Sequence, residues 1–264
     1  MAQPEIRFDD GAAYEEGMGR WSRLAGNVFL DWLAPASGLR WIDVGCGSGA
    51  FTELLMERCA PSEAHGVDPS NGQLAFARQR PGARGATFQV GDAMALPFAE
   101  NRFEAAVMAL VIFFVPEPDK GVAEMARVVR PGGLVAAYAW DMAGGGFPFE
   151  PIRAEVRAEG YQPPQPPSGP VSRMEALRET WQRAGLQAID TREITVQRTF
   201  ASFDEFWTKS IGTGGSRAMA SMLTPDALER VRARVQAKMP ADAQGRITYG
   251  ARANAIKGRV PASS

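Results

Sequence analysis

One segment, residues 41–52, most constrains what this 264-residue chain can fold into. It reads WIDVGCGSGAFT, an apolar run that ends at Asp43 and passes into a turn holding Gly45, Gly47 and Gly49. Glycine suits such a turn because it adopts positive φ and lets a ligand approach the backbone. A helix that follows would add unpaired N–H groups and a positive dipole end. The segment therefore predicts a strand, a tight turn and a helix around a small polar or anionic ligand.

Short apolar runs alternate with helix-period segments over residues 40–140, which is typical of parallel strands joined by crossover helices. The predicted strands are Arg40–Val44, Ala64–Asp68, Ala86–Val90, Phe103–Leu110 and Leu134–Trp140. Two crossover helices are predicted over Ala50–Cys59 and Asp119–Arg130, the second before a Pro-Gly-Gly stop. This pattern favours an α/β fold with a doubly wound, mostly parallel sheet.

The rest of the chain is less regular. Three consecutive glycines, Gly144 to Gly146, and five prolines between Tyr161 and Pro170 predict a loop with one helical piece over residues 142–170. A helix is then predicted from Ser172 to Ala184, with Ser172 as its N-cap and Gly185 after its end. A strand over Ala188–Phe200, a mostly helical stretch over residues 202–240 with Pro225 at a helix start, and a last strand over Gly245–Lys257 complete a seven-stranded sheet, the last strand antiparallel.

Composition narrows the possible chemistry. The chain is 45% hydrophobic and 22% charged with a net charge of -1, which is ordinary for a globular protein with a real core. It has two cysteines and one histidine, His65, so zinc sites and histidine-based nucleophilic catalysis are nearly excluded and no metal is expected. His65 and Cys59 are expected to be structural.

Location and partners are also constrained by the sequence. No apolar run has the length of a membrane span, and the N-terminus lacks the layout of a signal peptide. The 29 basic residues are dispersed among 30 acidic ones, so no basic block indicates nucleic acid. These features predict a soluble, cytoplasmic protein with a small-molecule partner, no membrane span and no nucleic acid.

Further acidic residues follow the next two predicted strands. Asp68 ends the second strand, 19 residues after Gly49, where a carboxylate can accept the hydroxyls of a ribose. Asp92 follows the third strand, with Ala93 beside it, and could meet an adenine edge. The glycine spacing is G-x-G-x-G, and Ala50 stands where a dinucleotide fingerprint has its third glycine. A nicotinamide-dependent oxidoreductase therefore stays open at this point.

Five segments together resemble one family. DVGCGSG, VDPS, GDAMALPF, FEAAVMALVIFF and RVVRPGGLVAAYAW look like the class I S-adenosylmethionine-dependent methyltransferases, and within them the ubiquinone/menaquinone-type small-molecule group. The resemblance covers residues 41–140 in order, and YEEGMGRWSR before them also looks like this group. It implies a Rossmann-like methyltransferase fold, S-adenosyl-L-methionine as cofactor and S-adenosyl-L-homocysteine as product.

The resemblance also implies which residues bind the cofactor. The methionine part would lie on Asp43 and on the turn with Gly45, Cys46, Gly47 and Gly49, above Ala109 and Leu110. Asp68 would hold the ribose, Pro69 the adenine face, and Asp92 with Ala93 the adenine edge. Glu104 departs from the aspartate usual in the family, at the beginning of a strand. Tyr14, Arg20 and Trp21 form either a lid over the methionine or an ordinary packing helix.

The same resemblance implies the domain boundaries. We expect one methyltransferase domain over residues 1–264, with an N-terminal helical lid over residues 1–38 and an S-adenosylmethionine-binding core over residues 39–141. Residues 142–170 and 201–244 are expected to be insertions that form a helical cap.

The expected function is methyl transfer to a small, aromatic or lipophilic metabolite, mainly by positioning. No catalytic residue is assigned. Asp141, Tyr14 and Tyr138 are candidates for an optional base, and Trp140, Phe113, Phe114 and Phe147 for an apolar acceptor pocket. A non-catalytic S-adenosylmethionine-binding protein and an NAD(P)-binding Rossmann oxidoreductase are the alternatives.

Overall fold

The central element of the fold is a seven-stranded sheet. The computed structural model describes residues 15–212 and 214–262, and its strands are β1 Arg40–Val44, β2 Glu63–Asp68, β3 Thr87–Val90, β4 Phe103–Ala109, β5 Val129–Trp140, β6 Gln187–Phe200 and β7 Ile247–Arg259. The strand order is β3-β2-β1-β4-β5-β7-β6. Strands β1 to β5 pair in parallel, whereas β7 is antiparallel to β5. The predicted doubly wound, mostly parallel sheet is confirmed.

Helices connect and flank these strands. They are α1 Arg20–Leu33, α2 Ala50–Cys59, α3 Asn71–Gln79, α4 Pro118–Val128, α5 Glu150–Ala158, α6 Met174–Arg183, α7 Phe203–Ile211, α8 Gly214–Ala220 and α9 Pro225–Lys238, and a π-helical turn, Glu15–Gly19, precedes α1. Short 3-10 turns lie at Pro81–Ala83, Ile112–Phe114 and Gly169–Ser172. The side chains of Ser70 and Thr224 cap α3 and α9, and Pro225 is at the start of α9 as predicted. None of the helices described here is long and apolar enough to cross a membrane.

Two predictions about helix ends are wrong. Ser172 does not cap α6: it closes the preceding 3-10 turn, where its hydroxyl donates to the Gly169 carbonyl oxygen and accepts from the backbone N–H of Met142. The helix predicted over Asp119–Arg130 ends at Val128, because Val129 pairs with Phe103 of β4 and begins β5. In both cases a contact with a distant part of the chain determines the boundary.

The described residues separate into two compact units. The core unit comprises residues 22–144, 166–194 and 253–262, with strands β1 to β5. The central strands β1, β4 and β5 are mostly buried on both sides, and no residue of β5 from Leu134 to Trp140 is more than 6% exposed. Such burial is expected for parallel strands that helices cover on both faces.

The accessory unit comprises residues 15–21, 145–165 and 195–252, without residue 213. Its buried apolar residues include Phe200 of β6, Phe203 and Phe206 of α7, and Ile247 of β7. Helices α5 and α9 are joined by ion pairs, in which the buried carboxylate of Glu155 accepts from Arg234 and Lys238. Most of the predicted cap insertions fall within this unit, but a capping role stays a prediction.

Candidate functional site

The loops after β1, β2 and β3 meet at the carboxyl edge of the sheet. The backbone N–H of Gly47 donates to Oδ2 of Asp68 at 2.9 Å, which connects the turn after β1 to the end of β2. The N–H of Gly91 donates to the Asp68 carbonyl oxygen at 3.3 Å, which adds the end of β3. The strand order reverses between β1 and β4, and the carboxyl edge at such a reversal is where α/β sheets of this kind bind ligands.

The three glycines of the glycine turn, residues 45–49, are required for different reasons. Each has a positive φ, between 52° and 78°. A Cβ on Gly45 would lie 2.4 Å from a methyl of Val111, and one on Gly49 would lie 3.0 Å from the Cβ of Ala77. A Cβ on Gly47 would meet nothing closer than Oε1 of Gln73, at 4.0 Å. Gly45 and Gly49 therefore serve packing, whereas Gly47 leaves its backbone open to a ligand.

Asp43 has a buried carboxyl group, of which only one oxygen accepts a hydrogen bond. The side chain of this residue is 1% exposed, and its Oδ2 accepts a hydrogen bond of 2.7 Å from the hydroxyl of Thr52. Its Oδ1 has no hydrogen-bond partner among the described residues. Burial raises the pKa of this carboxyl to about 7, against the effect of the Thr52 bond, and the charge of Asp68 raises it further. A cationic or N–H-bearing ligand group in the turn would compensate this charge.

Asp68 organises the same edge of the sheet. Its Oδ1 accepts from the N–H of Ser70 at 2.9 Å, and its Oδ2 accepts from Gly47. Burial raises its pKa, and the two N–H donors counteract that rise. Each carboxylate oxygen has a second lone pair, so Asp68 can still accept hydroxyl groups of a ligand. Asp68 does not cap α3, because the side chain of Ser70 does so.

The other residues of the core unit that are predicted to contact the cofactor lie at the same edge of the sheet. Asp92 is exposed after β3, and its Oδ1 accepts from the N–H of Met94 at 2.8 Å. Ala109 ends β4, and Leu110 follows it with a φ of 62°, which is strained for a leucine. Pro69 is exposed between Asp68 and α3.

Cys46 lies in the glycine turn but is not suited to be a nucleophile. Its side chain is 7% exposed, and burial strongly raises the pKa of its thiol. A thiol that stays protonated reacts poorly. Its role is in packing, where it contacts the small apolar cluster of Leu74, Ala77, Ala83 and Phe88.

The residues predicted to form a lid are not part of the core unit. Tyr14 lies outside the described residues. Arg20 is exposed at the start of α1. Trp21 is fully buried in the accessory unit, with its ring 6.4 Å from that of Phe200 and 6.1 Å from that of Tyr249. This is the arrangement of a packing helix, and a contact with a cofactor stays a prediction for Arg20 and Trp21.

A base has to reach the acceptor, whereas Tyr138, one of the candidates for an optional base, is buried. Its side chain is 1% exposed and packs between Phe29 of α1 and Phe51 of α2, with ring centroids 4.6 Å and 5.8 Å away. Asp141 is buried at the end of β5, where its Oδ1 accepts from the N–H of Gly144 at 2.8 Å. Trp140 and Phe113 are likewise buried.

Two residues that support the site were missed by sequence reasoning. Thr52 donates to Asp43, and a hydroxyl nine residues after a strand-end acid was the available signal. Arg80 follows α3, and its Nε donates to the Ser48 carbonyl oxygen in the glycine turn at 2.9 Å. Its Nη1 pairs with Glu53 of α2, also at 2.9 Å. Since Arg80 is 32 positions from Ser48, no local pattern could have indicated this contact.

Comparison with known proteins agrees with this geometry. A family model described as a methyltransferase domain matches residues 42–137. This segment is therefore similar to a methyltransferase domain. The matched segment contains Asp43, Asp68, Asp92 and the whole glycine turn.

Relatives and solved structures extend the comparison. The ubiquinone/menaquinone biosynthesis C-methyltransferase UbiE of Roseobacter denitrificans is 36% identical over 115 residues, which are 42% of this chain and 46% of that protein. The chain thus matches about half the length of such relatives. A methyltransferase structure from Bacillus halodurans shares the fold, with a TM-score of 0.60, 15% identity and coverage of 89% of this chain and 98% of that one. Phosphoethanolamine N-methyltransferase 2 of Haemonchus contortus, in complex with S-adenosyl-L-methionine, has a TM-score of 0.57 and 18% identity, covering 99% of this chain and 61% of that one.

Proposed function

We propose that the chain transfers a methyl group from S-adenosylmethionine to a small-molecule acceptor. The observation that carries the proposal is the linked set of Asp43, Gly47 and Asp68 at the carboxyl edge of the methyltransferase domain. Gly47, whose backbone is open, donates its N–H to the strand-end acid Asp68. The charge of Asp68 acts on the buried carboxyl of Asp43, whose Oδ1 has no hydrogen-bond partner among the described residues.

These residues fit the parts of S-adenosylmethionine. The unpaired oxygen of Asp43 suits the cationic methionine end, and the open side of Gly47 allows close approach to the backbone. Asp68 would accept the ribose hydroxyls, while Pro69, Asp92 and Ala93 would contact the adenine. Ala109 and Leu110, which follow β4, would lie beneath the methionine.

The chemistry needs mainly positioning. When bound, S-adenosylmethionine supplies a methyl group on a positively charged sulfur, which a nucleophile on the acceptor displaces in line. The chain's own residues then have to orient the two molecules and exclude water. No side chain is required as a base for this, and we assign none.

We further propose that the acceptor is aromatic or lipophilic. The printed name of the Roseobacter relative, a C-methyltransferase of ubiquinone/menaquinone biosynthesis, supports a lipophilic ring for that protein and motivates the same class here. The structural neighbour named for phosphoethanolamine shows that this fold also serves small polar acceptors. An acceptor screen should therefore include both quinol-like and polar small molecules.

Calorimetric titration tests the cofactor assignment. We expect micromolar binding of S-adenosylmethionine and S-adenosylhomocysteine, no binding of NADH, and loss of binding in Asp68→Ala. Asp190→Ala is the matched control, since Asp190 is an exposed acid of β6 outside the proposed site. Binding of NADH alone would overturn the methyltransferase proposal.

Turnover requires a second measurement. Added acceptors should produce S-adenosylhomocysteine above the background without protein. Cofactor binding without any turnover across the screen would instead favour a non-catalytic S-adenosylmethionine-binding protein.

A further inference from the structure

Strand β4 is followed by a residue in a strained backbone conformation. Leu110 has a φ of 62°, in the left-handed region that a leucine rarely adopts. Its N–H donates to the carbonyl oxygen of Tyr138 in β5 at 2.8 Å, so a hydrogen bond to the neighbouring strand helps to fix this conformation. Such strain persists only where the surrounding structure holds it, and it is often associated with function. The position of the next side chain, that of Val111, gives a reason for it.

The side chain of Val111 packs directly on Gly45, the first glycine of the glycine turn. A Cβ on Gly45 would lie 2.4 Å from Cγ1, 2.7 Å from Cγ2 and 3.0 Å from Cβ of Val111. Both methyl groups of Val111 therefore occupy the space that a side chain at residue 45 would need. A side chain branched at Cβ is stiff at χ1, so it makes a firm support for the backbone that it contacts.

The glycine turn is also fixed by β2. The N–H of Gly45 donates to the carbonyl oxygen of Val67 at 2.7 Å, and the N–H of Cys46 donates to the same oxygen at 3.0 Å. The start of the turn is thus held both by β2 and by the side chain of Val111. Gly47, whose backbone is open to a ligand, lies two residues further along. A shift of Gly45 would therefore move the backbone that we assign to the cofactor.

The loop after β4 holds the backbone of Val111 in place. The N–H of Phe114 donates to the Val111 carbonyl oxygen at 2.7 Å at the start of a 3-10 turn. The hydroxyl of Ser168 donates to the carbonyl oxygen of Val115 at 2.8 Å, which ties the end of that turn to a later segment of the chain. Val111 thus lies between two fixed points, Leu110 and the 3-10 turn. All of these residues belong to the core unit.

We propose that Val111 is a positioning residue for S-adenosylmethionine, because its side chain holds the glycine turn at Gly45 in the conformation that binds the methionine part. This inference rests on the proposed function and deepens it, since it names a residue that acts on the cofactor through the turn. The contact is steric, so the shape of residue 111 matters and its polarity does not. The adenosine part is assigned to Asp68 and Asp92, on the loops after β2 and β3, and should depend less on Val111.

Two ligands titrated into the full chain by calorimetry test the proposal. S-adenosylhomocysteine carries the amino-acid end that the glycine turn would bind, whereas 5′-methylthioadenosine lacks it. Val111→Ala should lower the affinity for S-adenosylhomocysteine at least tenfold, because a misplaced turn no longer fits the amino-acid end. It should lower the affinity for 5′-methylthioadenosine less than threefold. Val111→Thr keeps the branch at Cβ and should bind both ligands within threefold of the wild type.

Val122→Ala is the matched control. Val122 is fully buried in α4, and its replacement removes the same two methyl groups from the core unit. Val111 is less buried than Val122, so a general loss of stability would be larger in the control. We expect Val122→Ala to bind both ligands within threefold of the wild type. An affinity for S-adenosylhomocysteine that falls as far in Val122→Ala as in Val111→Ala would overturn the proposal.

Hydrogen exchange of the free protein, followed by NMR, needs no ligand. The Gly45 and Cys46 amides, which are bonded to Val67, should exchange at least threefold faster in Val111→Ala than in the wild type and in Val122→Ala. Unchanged exchange, or an equal loss of affinity for the two ligands, would overturn the proposal. If Val111→Ala does not fold, Val111→Leu replaces it, because leucine stays apolar but has only one carbon on Cβ, and the same changes are expected.

Wild-type binding separates this proposal from the proposed function. Wild-type protein that binds neither S-adenosylmethionine nor S-adenosylhomocysteine would overturn the proposed function, and with it the role of Val111 in cofactor binding, even if the exchange data show that Val111 holds the turn. Wild-type protein that binds both, with Val111→Ala within twofold of it, would overturn the positioning role alone and leave the proposed function in place.

Discussion

At the scale of a single residue, the buried carboxyl group of Asp43 makes the stability of this protein depend on pH. Its pKa is raised from 3.8 to about 7, mainly by burial. Between these two values the folded protein holds more protons than the unfolded chain. The free energy of unfolding therefore falls as the pH rises through this window, by on the order of 1.4 kcal/mol per pKa unit, and is constant above it.

Replacement of Asp43 by asparagine tests whether the free energy of unfolding falls as the pH rises. Asp43→Asn keeps an acceptor for the Thr52 hydroxyl but does not titrate. We expect the melting temperature of Asp43→Asn to rise relative to that of the wild type between pH 5 and pH 8, in thermal unfolding followed by fluorescence. Asp92→Asn, at an exposed position, should follow the wild-type curve. Parallel curves for Asp43→Asn and the wild type would contradict the raised pKa.

Substitution by alanine should have different effects on stability and cofactor affinity at Gly47 and at Gly49. Positive φ costs a residue with a Cβ about 1–2 kcal/mol at either position. Gly49→Ala also forces a Cβ to 3.0 Å from that of Ala77, and we expect a total loss of unfolding free energy of about 2–4 kcal/mol.

Gly47→Ala lacks that steric contact, and its added Cβ enters the open space that we assign to the cofactor. It should lower S-adenosylhomocysteine affinity at least tenfold while lowering stability less than Gly49→Ala. Urea unfolding and calorimetric titration measure the two effects separately. An affinity within twofold of the wild type would show that the cofactor does not approach Gly47.

At the scale of secondary-structure elements, Arg80 connects α3 to the glycine turn and to α2. Its guanidinium donates to the Ser48 carbonyl oxygen and pairs with Glu53, whose Oε1 also accepts from the N–H of Gly82. Arg80→Gln should therefore loosen the turn and lower S-adenosylhomocysteine affinity about three- to tenfold, since a misplaced binding group costs on the order of 1 kcal/mol.

Calorimetric titration of three variants checks the role of Arg80. Arg80→Lys keeps the charge next to Glu53 but lacks the several N–H donors of the guanidinium group. It should give an intermediate affinity for S-adenosylhomocysteine. Arg84→Gln, at an exposed position four residues later, should bind like the wild type. Equal affinities of Arg80→Gln and the wild type would show that the turn is held without Arg80.

The same elements show what could be predicted from sequence. Strand β1 and helix α2 have the predicted bounds, because glycines and changes of hydrophobic period mark both ends. Strand β5 begins five residues earlier than predicted, since its first residue pairs with Phe103 of β4. The hydroxyl of Ser172 is used by Met142, 30 positions away. Boundaries set by such distant partners have no local signal.

At the scale of the whole molecule, some residues of the candidate site could be predicted from sequence and others could not. Asp43, Asp68 and Asp92 could be found because carboxyl ends of parallel strands lie at one edge of a sheet. Tyr138 could not be assigned correctly, because the sequence does not show that Phe29 from a helix over 100 residues earlier covers its ring. The composition of the accessory unit, from three separate segments, was equally beyond a local pattern.

The two units share continuous elements, and this predicts cooperative unfolding. Helix α1 and strands β6 and β7 each contain residues of both units. Since breaking one unit disrupts elements of the other, differential scanning calorimetry should give one transition, with equal calorimetric and van't Hoff enthalpies. S-adenosylhomocysteine at 100 times its Kd should raise that transition by roughly 5–10 °C. A separate transition at lower temperature that the ligand does not shift would show that the accessory unit unfolds independently.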